Sequence, residues 1–382
     1  MTIGNPYLVE FEELPVWAQD NAYLRRGYRR PGDAPPRVPE KAPPVPEKDS
    51  GLRRRTTAAA SAAPAAAPDT EPTYRHDTYY QCWRSVWDYW HNETVNIHTH
   101  MIGAVIAVFL LVLQLVDLSG LLPHGPWAPY SLLTFPVHTN VLPSTVSEDL
   151  VMRQSQTMIP PDAADQVVLT IFLVSAIICL TCSATFHTLA CHSQPVAKSI
   201  NRLDYVGIVV LIVGSNIPAL RYGLYCHPNV HHFYLSMILL WGMLAMYTVV
   251  QPKYATPKFR PVRAGVFVAL GLSGVAPILH GVYLSGRSEF VFSTLGYKYV
   301  VWSGAMYIFG TLLYVAHIPE RFAPGTFDYI GASHQLFHTC VLIAAMLHLA
   351  ALRHSYIFWH AVETTTGDVG REAVCRALTN WP

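Results

Sequence analysis

The sequence predicts an all-α membrane protein: a seven-transmembrane helix bundle with a cytosolic N-terminus and an external C-terminus. Three observations carry that expectation. The 382-residue chain is 51% hydrophobic and only 13% charged. Its apolar residues gather in runs free of Asp, Glu, Lys and Arg, at Val95–Val116, Val167–Ala197, Tyr205–Leu220, Tyr222–Pro252, Ala264–Gly286, Tyr299–Pro319 and Tyr329–Leu352. The basic residues between those runs are distributed unevenly. A helix needs about 20 apolar residues to cross the hydrocarbon core. Six of the seven runs reach that length alone, and the third does so if Arg221 snorkels to the interface. Strand periodicity is absent, and an isolated strand could not satisfy its backbone in lipid.

Taken in order, residues 1–73 form a Pro-, Ala- and Arg-rich stretch that includes PGDAPPRVPEKAPPVPEK and AAASAAPAAAPDTEP. Composition of this kind cannot bury a core, so the stretch is expected to be a disordered cytosolic tail. Residues 74–92 differ, because YYQCWRSVWDYWHN spaces Trp83, Trp87 and Trp90 by 4 and 3 and puts them on one helical face. That suits an amphipathic helix lying on the inner leaflet. The membrane domain then runs over 93–354, with spans at about 95–117, 166–191, 204–224, 230–251, 263–284, 297–317 and 333–353. The 1–2 connection contains a long external loop, Gly120–Ala164, with no recognisable chemistry. Pro218 and Pro277 are expected to kink spans 3 and 5, and Gly271 and Gly274 to permit close helix packing. Residues 355–382 are read as an external tail.

The charges orient the bundle. Of the 26 Lys and Arg, twelve precede the first span. The 2–3 connection carries Lys198 and Arg202, and the 4–5 connection Lys253, Lys258, Arg260 and Arg263. The long 1–2 connection has Arg153 among Glu148, Asp149, Asp162 and Asp165. The positive-inside rule places the N-terminus in the cytosol, opposite to a G-protein-coupled receptor. No signal peptide opens the chain, because its first long apolar run begins near Val95. A net charge of +1 gives no reason to expect a nucleic-acid partner. Of seven cysteines, Cys179 and Cys182 form a CxxC inside span 2 that reads as apolar packing. Cys226 and Cys375 would face outside, and spacing does not say whether they bridge.

Polar side chains inside spans cost free energy unless they pair, face a cavity or bind something. With the N-terminus inside, His187 lies near the cytosolic end of span 2, one turn before Cys191. His334 and His338 sit in the first two turns of span 7, with Ser333 as its N-cap. At 1.5 Å rise per residue the three imidazoles fall within a few ångströms of one depth, and His334 and His338 share a face. Asp204, opening span 3, is at the same level. Three neutral imidazoles are a zinc-type ligand set with a fourth position left for water, and zinc lowers the pKa of such a water toward 7. Asp204 could act as general base or orient an imidazole, or be only an N-cap carboxylate. Ser183, one turn before His187, could stabilise an oxyanion or hold the water, or back-bond to its own helix. His187 alone could be a satisfied core histidine. Among the others, His98 and His100 lie at the cytosolic start of span 1, where they could contact the site although an interfacial role is the reading preferred, and His192 is expected to meet water. His348 is too far along span 7 to share the metal, and His227, His231 and His232 belong to the external ends.

At these residues the sequence resembles the progestin and adipoQ receptor family, which includes adiponectin receptors and haemolysin III-type proteins. The matching blocks are ETVNIHTHMIG (Glu93–Gly103), SATFHTLACHS (Ser183–Ser193), LDYVGI (Leu203–Ile208), IPERFAPGTFD (Ile318–Asp328) and SHQLFHT (Ser333–Thr339). They occur in order and cover the membrane region, resembling most the adiponectin receptor-like branch. The resemblance implies a zinc ion on His187, His334 and His338, with Asp204 and Ser183 close to its water, and an N-in topology. It further implies hydrolysis of a ceramide-type amide and a link to lipid or metal homeostasis signalling. His98 departs from the aromatic usual at its position, and the Gly120–Ala164 loop is longer than in the animal receptors.

Two functions compete. The first is an intramembrane zinc amidohydrolase acting on a ceramide-like lipid, in the plasma membrane or an endomembrane. The second is a receptor whose zinc is structural, relaying an external protein ligand to the cytosolic tail without turnover. A transporter is disfavoured because the spans show no inverted repeat or matched pair of broken helices. A retinal pump is disfavoured because span 7 has no lysine.

Overall fold

A computed structural model of the chain describes residues 5–33, 75–115, 163–255 and 257–379. Gly120–Asp162 of the long connection and residues 34–74 of the tail lie outside the described residues. Among the described residues, seven helical segments are long and apolar enough to cross a membrane. A short helix α1 (Tyr79–Asp88) precedes them. The spans are α2 (Thr94–Leu115), α3 (Ala163–Leu189), α4 (Gln194–Gly223), α5 (Pro228–Val250), a broken pair α6 (Arg260–Ser273) and α7 (Val275–Ser285), α8 (Tyr297–Ala316) and α9 (Ser333–Thr379). Successive spans pack against one another, and α9 closes the ring on α2 while also touching α3 and α4. That central place of α9 brings its first turns to the end of α3.

The outward faces are apolar at helical spacing. Ile102, Val105, Ile106 and Phe109 on α2 and Leu240, Met243, Leu244 and Tyr247 on α5 are exposed. Such stripes suit lipid as their solvent. On α1, Trp83 and Trp87 are exposed while Cys82, Ser85 and Val86 are buried, the division expected of an interfacial helix.

Three boundaries differ from the sequence reading. First, α4 begins at Gln194, so Asp204 lies ten residues inside it and is not an N-cap. Hydropathy marks the hydrocarbon part of a helix, whereas the helix continues through Lys198 and Arg202, which sit where charge is solvated. Second, span 5 breaks at Gly274, before Pro277, because Pro277 has no N–H for the Ser273 carbonyl. A Cβ on Gly274 would come within 2.6 Å of Asn216 Oδ1, whereas one on Gly271 would meet nothing within 4 Å. Of this pair, therefore, close packing holds at Gly274 and not at Gly271. Third, residues 355–379 are not a tail but continue α9. Phe358, Trp359, Val374 and Leu378 are buried with Tyr222, Phe290 and Tyr297, Trp359 Nε1 donates to the Tyr222 carbonyl at 3.1 Å, and Cys375 is disulfide-bonded to Cys226.

The largest correction concerns the N-terminal tail. Residues 5–33 are ordered, with strand β1 (Leu8–Val9) antiparallel to β2 (Tyr28–Arg29), in register Leu8 to Arg29 and Val9 to Tyr28. Leu8, Val9, Leu14 and Leu24 are buried. The guanidinium of Arg29, 5% exposed, donates to Ser85 Oγ and the Thr188 carbonyl at 2.9 Å each, and to the carbonyl of His187. Those carbonyls belong to the last turn of α3, where a helix has no internal donors left and a cation is favoured. Asp33 accepts from the Gln194 amide at the start of α4. Arg25 N donates to Asp328 at 2.8 Å and Asn21 Nδ2 to Glu320 at 3.0 Å. The segment is therefore a strap across the ends of α3, α4 and the 6–7 connection. Composition over 1–73 hid it, because the Pro/Ala-rich part outweighs the aromatic and aliphatic residues of 7–30.

His76 fastens the strap to α1. Its Nδ1 lies 2.8 Å from the Arg30 carbonyl and its Nε2 2.5 Å from the Tyr89 hydroxyl. Burial, with the Arg29 charge beside it, pushes this imidazole down from 6.5 to about 4. Between those values the detached segment binds a proton that the docked one does not, so docking weakens as pH falls from 6.5 toward 4. By pH 5 this amounts to about 2 kcal/mol. Hydrogen exchange in residues 5–33 is expected to quicken on going from pH 7 to pH 5, and His76→Gln to remove most of that pH dependence. Serine at Cys226 or Cys375 is expected to cost about 2–4 kcal/mol, read as a lower denaturation midpoint in detergent.

Candidate metal centre

The site is assembled where α3 ends and α9 begins. His187 is in the last turn of α3, with Ser183 one turn earlier. His334 and His338 are one turn apart at the start of α9. That start is fixed from outside the helix: the fully buried Glu320 accepts from the Ser333 amide at 2.8 Å and from the Ser333 hydroxyl. Ser333 is thus the first helical residue, and Glu320 supplies the capping carboxylate in place of a serine N-cap.

The three imidazoles converge. Each offers a ring nitrogen, and these lie within 4.8 Å of one another. Ring centroids are 4.8 Å apart for His187–His334, 4.8 Å for His187–His338 and 4.9 Å for His334–His338, with planes turned 76°, 72° and 80°. Near-perpendicular rings aim lone pairs at a common point instead of stacking. His187 and His338 are each 1% exposed.

The outer nitrogens of two ligands are already engaged. Nδ1 of His187 lies 2.7 Å from Glu93 Oε2, and Nδ1 of His338 lies 3.2 Å from the Asn96 carbonyl. Both acceptors require the proton on Nδ1 and leave Nε2 as the lone-pair nitrogen. Nε2 of His187 is buried and, among the described residues, has no hydrogen-bond partner. A buried polar atom left in that state costs about 1–3 kcal/mol, which a bound cation would remove. The donor set and this orphaned nitrogen fit a divalent metal ion.

Asp204 faces the same place from α4, close enough to Ser183 for a hydrogen bond and to His187 for charge interaction. Ser175 and Thr188 on α3 turn their hydroxyls back to carbonyls four residues earlier. The five expected site residues, Ser183, His187, Asp204, His334 and His338, are thus brought together.

The other histidines divide. His348 hydrogen-bonds the Ser215 carbonyl at 2.9 Å, away from the triad. His98 lies edge-on to Trp87 at 5.3 Å, and the half-buried His192 stacks on the exposed Tyr79 at 4.5 Å. His100 is not interfacial. It is 3% exposed and stacks on His338, with centroids 3.7 Å apart and planes 9° from parallel. The sequence reading also missed Glu93 and Asn96, which hold two ligand rings, and Arg29 behind His187. The available signal for the first two was a carboxylate and an amide three residues apart, on one helical face, at the depth assigned to the histidines.

A family model described as Haemolysin-III related matches residues 88–349, which takes in every residue of the cluster. Progestin and adipoQ receptor-like protein 1 of Caenorhabditis elegans is 32% identical over 89% of the chain, and the adiponectin receptor protein of Drosophila melanogaster is 32% identical over 88%. The chain spans 59% and 57% of the length of these two relatives. ADIPOR-like receptor IZH1 of Eremothecium gossypii is 31% identical over 92% of the chain and 85% of that relative. An integral multi-pass helical bundle matched in this way along its membrane region belongs to the haemolysin III-related family of adiponectin receptor-like proteins.

Proposed function

We propose that this protein holds a zinc ion on His187, His334 and His338 and hydrolyses a ceramide-like lipid amide at the cytosolic end of the bundle. The observation that carries the reading is the convergence of three imidazoles around a buried, unpartnered His187 Nε2, beside a carboxylate that makes no part of the triad. All three donors are nitrogen, and the set leaves a fourth position, the pattern of a catalytic zinc site. When bound, zinc supplies Lewis-acid polarisation and a water whose pKa is near 7.

The chain's own residues do the rest. Amide hydrolysis breaks the C–N bond, adds hydroxyl to the acyl carbon and delivers a proton to the amine nitrogen. Asp204 is the group we assign to carry that proton, with Ser183 beside it to steady the carboxyl. Glu320 fixes the start of α9, so His334 and His338 keep their mutual orientation. The surrounding apolar bundle admits a lipid and excludes bulk water.

The cytosolic placement of the site is supported by the basic residues at that end and by the Cys226–Cys375 disulfide at the other, since disulfides persist in oxidising compartments. The receptor names of the relatives favour a second reading, in which zinc is structural and an external protein ligand is sensed.

His338→Ala is expected to abolish bound zinc, measured by elemental analysis of purified protein, and wild-type metal content in that variant removes the site assignment. Purified holo protein is expected to release fatty acid from ceramide. Asp204→Asn should slow that release by about 10²–10⁴-fold while keeping zinc. A folded, zinc-loaded protein with no turnover above a metal-free control leaves the receptor reading.

A further inference from the structure

We infer that Glu93 is a positioning residue for the metal site, holding His187 directly and His338 through Asn96, an inference that rests on the metal-binding reading above. Glu93 immediately precedes α2 and contributes to neither the triad nor the Ser183–Asp204 pair. Its Oε2 accepts from Nδ1 of His187 at 2.7 Å and from Nδ2 of Asn96 at 2.6 Å. The Asn96 carbonyl in turn lies 3.2 Å from Nδ1 of His338. One turn of one helix therefore orients ligand rings from two others, α3 and α9. Glu93 is itself placed by its backbone, whose amide donates to His91 Nδ1 at 3.1 Å.

The geometry separates this role from that of a ligand. Glu93 sits on the Nδ1 side of the His187 ring, and the Nδ1–H and the Nε2 lone pair point in diverging directions, so it does not share an ion held at Nε2. What remains is control of the ligand. A carboxylate behind an imidazole fixes the tautomer and ring orientation and raises the basicity of the distal nitrogen, and loss of such a partner typically weakens metal binding 10–100-fold. Charge points the same way, because three neutral imidazoles bring none. Glu93, at His187 Nδ1, brings a carboxylate that can help balance a dication.

The test uses the full-length protein in detergent, as wild type, Glu93→Gln and Glu93→Asp. Zinc affinity is read by competition with a chromophoric chelator, and ligand geometry by the visible absorption of the cobalt-substituted protein. Glu93→Gln can still accept the Nδ1 proton but lacks the charge. It is expected to bind zinc 10–100-fold more weakly and to shift the cobalt bands, with the metal-free denaturation midpoint little changed. Glu93→Asp keeps the charge but retracts the oxygen, should fall between the two, and serves as the test if Glu93→Gln does not fold. Wild-type affinity and an unshifted cobalt spectrum in both variants overturn the role of Glu93. A wild-type protein that takes up neither metal overturns the metal-binding reading itself, which is a separate result.

Discussion

A histidine can offer Nε2 to a cation only if Nδ1 keeps its proton, and inside a bilayer-spanning bundle that proton needs an acceptor of its own. The centre of this protein is organised around that requirement. Glu93 and the Asn96 carbonyl supply the acceptors for His187 and His338, and both come from the start of α2. The closure of the bundle, with α9 packed on α2 as well as on α3, is what lets one helix serve ligands on two. A ring that closed elsewhere would keep all three histidines yet leave two Nδ1 protons without partners.

The polar groups are concentrated at one end of the bundle for the same energetic reason. Burial of a lone carboxylate or imidazole in an apolar interior is costly, and mutual satisfaction is the available remedy. Glu320 answers the N-terminus of α9, Arg29 the C-terminus of α3 and Asp33 the first amide of α4. Each treats a helix end, where backbone groups lack internal partners. The helix ends that present His187, His334 and His338 are therefore held by residues from the connections and the N-terminal strap. Away from this end the spans are held by apolar packing and by small residues such as Gly207 and Gly274, where a Cβ would meet a neighbouring helix.

The strap ties the cytosolic reading of the site to the rest of the chain. Its guanidinium touches the carbonyl of a candidate ligand, its Asn21 bonds the carboxylate that caps the helix carrying the other two, and its Gly27 carbonyl accepts from the Asn92 amide beside Glu93. The three elements that build the centre thus share one cover. A change in how residues 5–33 dock would reach the imidazoles through backbone and hydrogen bonds, without passing through the apolar core.

Much of this was legible in the sequence because bilayer physics is coarse. Seven charge-free runs require seven helices, and Ser183, His187, Asp204, His334 and His338 could be assigned to one depth from rise per residue and charge asymmetry. The features that escaped are those whose partners are distant along the chain. Asp204 was set at a helix start because hydropathy does not see the three turns of α4 that lie outside the hydrocarbon. The strap was averaged into its Pro/Ala-rich neighbour, and His100 was assigned to the interface although it stacks on His338. By itself, then, the sequence determined which side chains must avoid lipid and at what level, since spacing and composition decide that locally. Tertiary structure alone decided who accepts each proton: Glu93 for His187, Asn96 for His338 and Glu320 for the α9 terminus. Hydrogen bonds depend on distances of a few tenths of an ångström between residues as much as 303 positions apart, as for Arg25 and Asp328, and no periodicity encodes those.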